Sequence, residues 1–123
     1  MATRSTIGVL NGDGSVTSIY CHWDGYPEYN GHLLAEHYTS DEKIATLMAL
    51  GDLSSLGAEI GTQKPFNTGV IGNECMAYGR DRGETGVEAV THPTVSEWMK
   101  NRARAGCEYG YLWEAAGWKT FSL

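Results

Sequence analysis

Between Tyr20 and Gly31 the chain gathers the side chains best suited to chemistry or recognition: Tyr20, His22, Trp23, Asp24, Tyr26, Tyr29 and Asn30. Imidazole, carboxylate, phenol and indole together could hold a metal, move a proton or form an aromatic binding face. Spacing argues against the metal. His22 and Asp24 would need His32 or His37, and those two histidines, five residues apart, lie about 140° from each other on a helix, where a shared ion wants a spacing of three or four. A His22–Asp24 acid–base pair would suit a small hydrolase. No nucleophile elbow, H-E-x-x-H run or kinase-like motif accompanies it, so no catalytic residue, metal ligand or cofactor is assigned. The remaining reading is recognition: amphipathic aromatics and hydrogen-bonding groups on a loop are what protein interfaces use. A competing reading has Trp23 and Tyr26 folded back as a lid on the core, a role both residue types also fill.

A second polar group is Gly79-Arg80-Asp81-Arg82-Gly83, where a guanidinium fork could meet a phosphate or a partner's carboxylate. The alternative is a solvated turn in which Asp81 pairs with a neighbouring arginine. Lys100, Arg102 and Arg104 fall in the last turns of an expected helix and complement its dipole without needing a function. Tyr109, Tyr111 and Trp113 alternate, and could stack a base or form the inner face of a strand. The partner-binding set read from the sequence is therefore Tyr20, His22, Trp23, Asp24, Tyr26, Tyr29, Asn30, Arg80 and Arg82.

Elements able to position these groups can be read from pattern and turn chemistry. Ile7, Val9 and Leu10, then Asn11-Gly12-Asp13-Gly14, then Val16, Ile19 and Tyr20, predict a β-hairpin, because Asn-Gly and Asp-Gly supply the positive φ angles a tight connection needs. Cys21 to Gly31 reads as an exposed loop. Leu33, Leu34 and His37 predict a short helix with Asn30 as a possible cap. Ile44, Leu47 and Met48 predict a second helix with a Thr39–Glu42 capping box and a stop at Gly51. Asp52 is expected to cap a further turn through Leu53 and Leu56, followed by loop to Gly72 with a strand at Val70-Ile71. Cys75 to Tyr78 reads as a strand, Gly79 to Gly86 as a turn, and Val87 and Val90 as strand-like. Thr94 and Glu97 cap a third helix ending at Gly106. A terminal hairpin turns at Ala115-Ala116-Gly117. The expected architecture is α+β over residues 1–123 as a single domain, an antiparallel sheet made from the two terminal hairpins with about three helices on one face.

Composition narrows the partner. With 123 residues and a formal charge of −6, the chain lacks the dense basic patch that phosphate backbones require, so nucleic acid is not an expected partner. The acidic residues are scattered and form no continuous stripe that could imitate DNA. No apolar run reaches the roughly 18 residues a bilayer span needs, and Met1 to Thr6 has no apolar leader core, so a cytoplasmic protein is expected. Cys21, Cys75 and Cys107 are odd in number and far apart, which suggests buried thiols.

The opening Met-Ala-Thr-Arg-Ser-Thr-Ile, the run Ile19-Tyr20-Cys21-His22-Trp23-Asp24-Gly25-Tyr26, Tyr29-Asn30-Gly31, Leu50-Gly51-Asp52-Leu53-Ser54-Ser55-Leu56-Gly57 and Tyr78-Gly79-Arg80-Asp81-Arg82-Gly83-Glu84 resemble a family of small proteins of tailed bacteriophages and prophages. The likeness spans nearly the whole chain, and the family has no settled activity. It implies an accessory protein in the cytoplasm of a bacterial host that binds a host or defence protein stoichiometrically, for example a CRISPR–Cas component, and inhibits it. Two other functions stay open: sequestering a nucleotide signal, and hydrolysis. Oligomeric state is not legible.

Overall fold

The computed structural model describes residues 2–66 and 73–123. The expected strand at Val70-Ile71 lies outside them. The class is α+β, with seven strands in one mixed sheet among the described residues.

The N-terminal hairpin forms as its sequence dictates. β1 (Ser5–Leu10) pairs with β2 (Val16–Cys21) in antiparallel register from Leu10 opposite Val16 to Ser5 opposite Cys21. In its turn Gly14 takes φ +88°, and the Asp13 carboxylate accepts from Ser15 N at 3.0 Å and from Ser15 Oγ at 2.6 Å. The terminal hairpin also forms, β6 (Tyr109–Glu114) against β7 (Gly117–Ser122). The two hairpins join through a parallel pairing of β1 with β6, Ser5 opposite Tyr109 and Val9 opposite Trp113. A second parallel contact sets Cys21 opposite Leu53 of β3 (Leu53–Ser55), which pairs in turn with β4 (Met76–Ala77). The sheet is thus mixed, where antiparallel pairing throughout was expected. β1 has given one edge to its hairpin partner, and only a strand arriving after a long crossover is left to take the other. β5 (Val90–His92) pairs with β2 near Val16.

Alternation along the strands divides the core in two. Ile7, Ile19, Cys21, Tyr111 and Trp113 face one way and meet Leu34 and Tyr38, from α1 (His32–His37) and just beyond it, and Ile44 and Leu47 of α2 (Asp41–Leu50). Val16 and Leu112 face the other way and meet Trp98 of α4 (Val95–Arg104). The helices therefore occupy both faces of the sheet rather than one. Two glycines explain the second layer. A Cβ on Gly8 or Gly110 would sit 3.2 Å from the Trp98 ring, so their bare backbones make the seat that the indole fills. Trp98 Nε1 also donates to Thr6 Oγ1 at 3.1 Å.

The helix boundaries follow local chemistry with some shifts. Thr94 Oγ1 accepts from Glu97 N at 3.1 Å, as its spacing predicts. α2 is capped by Ser40 instead of Thr39, Ser40 Oγ accepting from Lys43 N at 3.2 Å. Gly51 ends α2 at φ +75°, where a Cβ would lie 2.3 Å from Val87 O. The expected turn after Asp52 is strand β3 instead, because the free edge of β2 takes it; the Asp52 carboxylate is held there by Tyr20 N at 2.9 Å. Tyr78, expected to end a strand, and Gly79–Arg82, expected as a turn, close into one short helix, α3 (Tyr78–Arg82), capped by Gly83 at φ +73°. No helix of the described residues is long and apolar enough to cross a membrane.

Candidate functional site

The Tyr20–Gly31 segment leaves β2, turns at Asp24 (φ +57°) and closes in a π-helical turn over Pro27–Gly31 before α1 begins. Its backbone is fixed from beneath. Gly25 N donates to Thr3 O at 2.8 Å, and the buried Tyr111 hydroxyl donates to Gly25 O at 2.6 Å. A side chain at Gly25 would collide with Ser5 and Thr3 at 2.7 Å, so this approach demands glycine. Asn30 is fully buried, with Nδ2 donating to Trp23 O at 3.3 Å and Cys21 Sγ at 3.3 Å. Asn30, expected on the binding surface or as the α1 cap, is therefore an internal strut, and α1 starts without a side-chain cap. Burial pushes the Cys21 thiol up to about 12, so the sulfur in this strut stays protonated.

Above this frame the aromatic rings point outward. Trp23 is 44% exposed, Tyr26 37% and Tyr29 42%. The lid reading expected Trp23 and Tyr26 on the core; Asn30 and Tyr111 fill that position. Tyr26 and Tyr29 form one ring pair at 6.3 Å, and His22 meets Trp23 edge-on at 4.8 Å. Tyr20 is half-buried, and burial raises its phenol to about 12, so it remains a donor. Burial first, and Arg4 second, lower the His22 imidazole, which is neutral at pH 7. The Tyr20 hydroxyl and His22 Nδ1 share a hydrogen bond at 2.6 Å, whose donor depends on the imidazole tautomer. That bond fixes the orientation of the His22 ring. No hydrogen bond or ion pair joins His22 to Asp24 among the described residues.

The two arginines separate. Arg80 uses all five guanidinium N–H groups internally, on Ile60 O, Gly61 O, Cys75 O and both oxygens of Asp81. It clamps the 60–75 segment and is removed from the contact surface; the spacing of Arg80 and Asp81 showed the pairing but not that Asp81 is buried. Arg82 stays exposed, lies over the Phe66 and Tyr78 rings at 4.6 and 4.8 Å, and pairs with Glu84. Phe66 stacks on Tyr78 at 5.6 Å.

No family model, curated protein or solved structure matches the chain. The reading of the site rests on its geometry. That geometry links the loop to residues the sequence did not mark: Trp23 N donates to Ser54 O at 3.0 Å, and the Tyr78 side chain lies beside Ser54. Tyr20, His22, Trp23, Ser54, Tyr78, Phe66 and Arg82 so form one continuous polar and aromatic stretch. Phe66 and Tyr78 reach it only through the β2–β3–β4 pairings, which no local pattern announces. The rings suggested for stacking a base are placed differently, since Tyr111 and Trp113 are buried and Tyr109 is half-buried. His32 and His37 share only the Glu36 carboxylate, and no group of three or more metal-ligating side chains occurs among the described residues.

Proposed function

We propose that this protein acts by stoichiometric binding of a protein partner, with Trp23, Tyr26 and Tyr29 as anchors and the His22 imidazole and Arg82 as directional polar contacts. The observation that carries the proposal is the outward exposure of three large rings on a loop whose backbone is pinned by Gly25, Asn30 and Tyr111. Tryptophan and tyrosine dominate interface energetics when they enter a partner's pockets, and a loop already fixed loses little entropy on binding. The resemblance to small proteins of tailed phages supports a bacterial host or defence protein as the partner, such as a CRISPR–Cas component, and inhibition by occlusion as the effect.

The test is capture from bacterial lysate, identification of the bound protein, and reconstitution of the purified pair for affinity measurement. A Trp23→Ala, Tyr26→Ala variant with unchanged melting temperature is expected to bind more than tenfold less tightly, the two anchors together contributing at least about 1.4 kcal/mol. Unchanged affinity in that folded variant would remove the loop from the interface.

A further inference from the structure

We propose a second site, independent of the aromatic loop: a cleft between β5 and α4 that binds a small phosphate monoester. Glu97, Lys100, Asn101 and Arg104 recur on one side of α4 at steps of three, four and seven, and with His92 they line a cleft of about 260 Å³. Helix-dipole compensation accounts for a cation somewhere in the last turns of α4. It does not account for the number of unused donors that meet here.

Six of the basic side chains, Lys43, Lys64, Arg80, Arg82, Arg102 and Lys119, are engaged in hydrogen bonds or ion pairs. Lys100 and Arg104 have neither among the described residues. Asn101 Oδ1 is occupied by Arg102, accepting at 3.0 Å from Nε and 2.6 Å from Nη2, which turns its amide N–H groups toward other acceptors. His92 Nδ1 is buried without a partner. The tautomer protonated at Nε2 leaves only a lone pair bare at Nδ1 and makes Nε2–H the donor that remains for an occupant. The cleft is thus lined by an ammonium, a guanidinium, an amide and an imidazole N–H, against the single carboxylate of Glu97.

Four donor groups with two positive charges match the oxygens of a phosphate dianion, and guanidinium meets that group bidentately. Glu97 would repel an extended polyanion but can accept from a hydroxyl on the organic part of an ester. The volume lies just below the usual range for drug-sized ligands, which limits the occupant to something like a sugar phosphate.

The experiment titrates the full chain with inorganic phosphate, a hexose monophosphate and the free hexose, at ionic strength held constant with chloride, reading amide chemical shifts and melting temperature. Expected are saturable shifts centred on His92, Lys100, Asn101 and Arg104, a rise in melting temperature, and tighter binding of the ester than of inorganic phosphate. A Lys100→Gln, Arg104→Gln variant, altered only at exposed positions, should keep its unliganded melting temperature and lose at least about tenfold in affinity. No saturable shift, or equal affinity in that variant, overturns the site. Inorganic phosphate binding as tightly as the ester overturns the ester as its ligand.

Discussion

Asp81 shows how a charged side chain in a glycine-bounded turn becomes structural. Its Oδ1 accepts from Arg80 Nε at 3.0 Å and Lys64 N at 3.1 Å, and its Oδ2 from Ala77 N at 2.8 Å. Burial alone would raise the carboxyl; these hydrogen bonds outweigh it and hold Asp81 below the ordinary carboxylate value. Removing the charge leaves Arg80 half-buried and unpaired, so Asp81→Asn is expected to cost about 3 kcal/mol in urea unfolding at pH 7. A folded pKa lower than the unfolded one makes a contribution that is complete above the unfolded value, near pH 4, and is lost as pH falls through the folded value. The wild type should therefore lose its advantage over Asp81→Asn as acid unfolding is followed downward from about pH 4; a constant difference across that range would remove the carboxylate from the account. Residue type alone marked the Arg80–Asp81–Arg82 cluster and the Tyr20–Asn30 loop as places of interest. It did not sort inward from outward members, because burial of Asn30 and Asp81 depends on Tyr111, Lys64 and Ala77, which reach them only in the folded chain.

At the scale of elements, the hairpins and the amphipathic helices were legible because each is specified within about ten residues: Asn-Gly between alternating strands, and Thr94 three residues before Glu97. The parallel β1–β6 pairing and the placement of α4 on the second face were not legible. Their determinants, Gly8 and Gly110 beneath Trp98, are distant in sequence and look like ordinary strand interruptions. The β6–β7 turn carries a local cost that sequence made visible only in part. Ala115 and Ala116 take φ +49° and +58°, a region where a Cβ crowds the backbone and which two-residue hairpin turns normally give to Asn and Gly. Ala116→Gly should relieve this strain and stabilise the protein by about 1 kcal/mol, read as a melting temperature raised by several degrees. A lowered melting temperature would mean that the alanine methyl makes contacts worth more than the strain it causes.

For the whole molecule the decisive feature is that the two ends of the chain share one sheet. β1 lies between β2 and β6, so the strand that begins the fold is completed by one formed about a hundred residues later. Glu108 N donating to Arg4 O at 2.8 Å sets the start of that pairing. Long-range pairing of this kind is slow to form, since the loop entropy is lost before the contacts are made. It also makes the terminal hairpin part of both core layers: Tyr111 and Trp113 close one face, and Gly110 and Leu112 complete the seat of Trp98 on the other. The Tyr111 hydroxyl also anchors Gly25, so the aromatic loop depends on the same strand. A chain ending at Gly106 would keep every helix and the first hairpin, yet expose Ile7 and the indole of Trp98 and leave β1 an open edge. Such a truncation is expected to be unfolded, with collapsed amide dispersion and no cooperative thermal transition. A dispersed spectrum with a sharp transition from residues 1–106 would show instead that the terminal hairpin is an appendage, and that the loop's geometry is set without it.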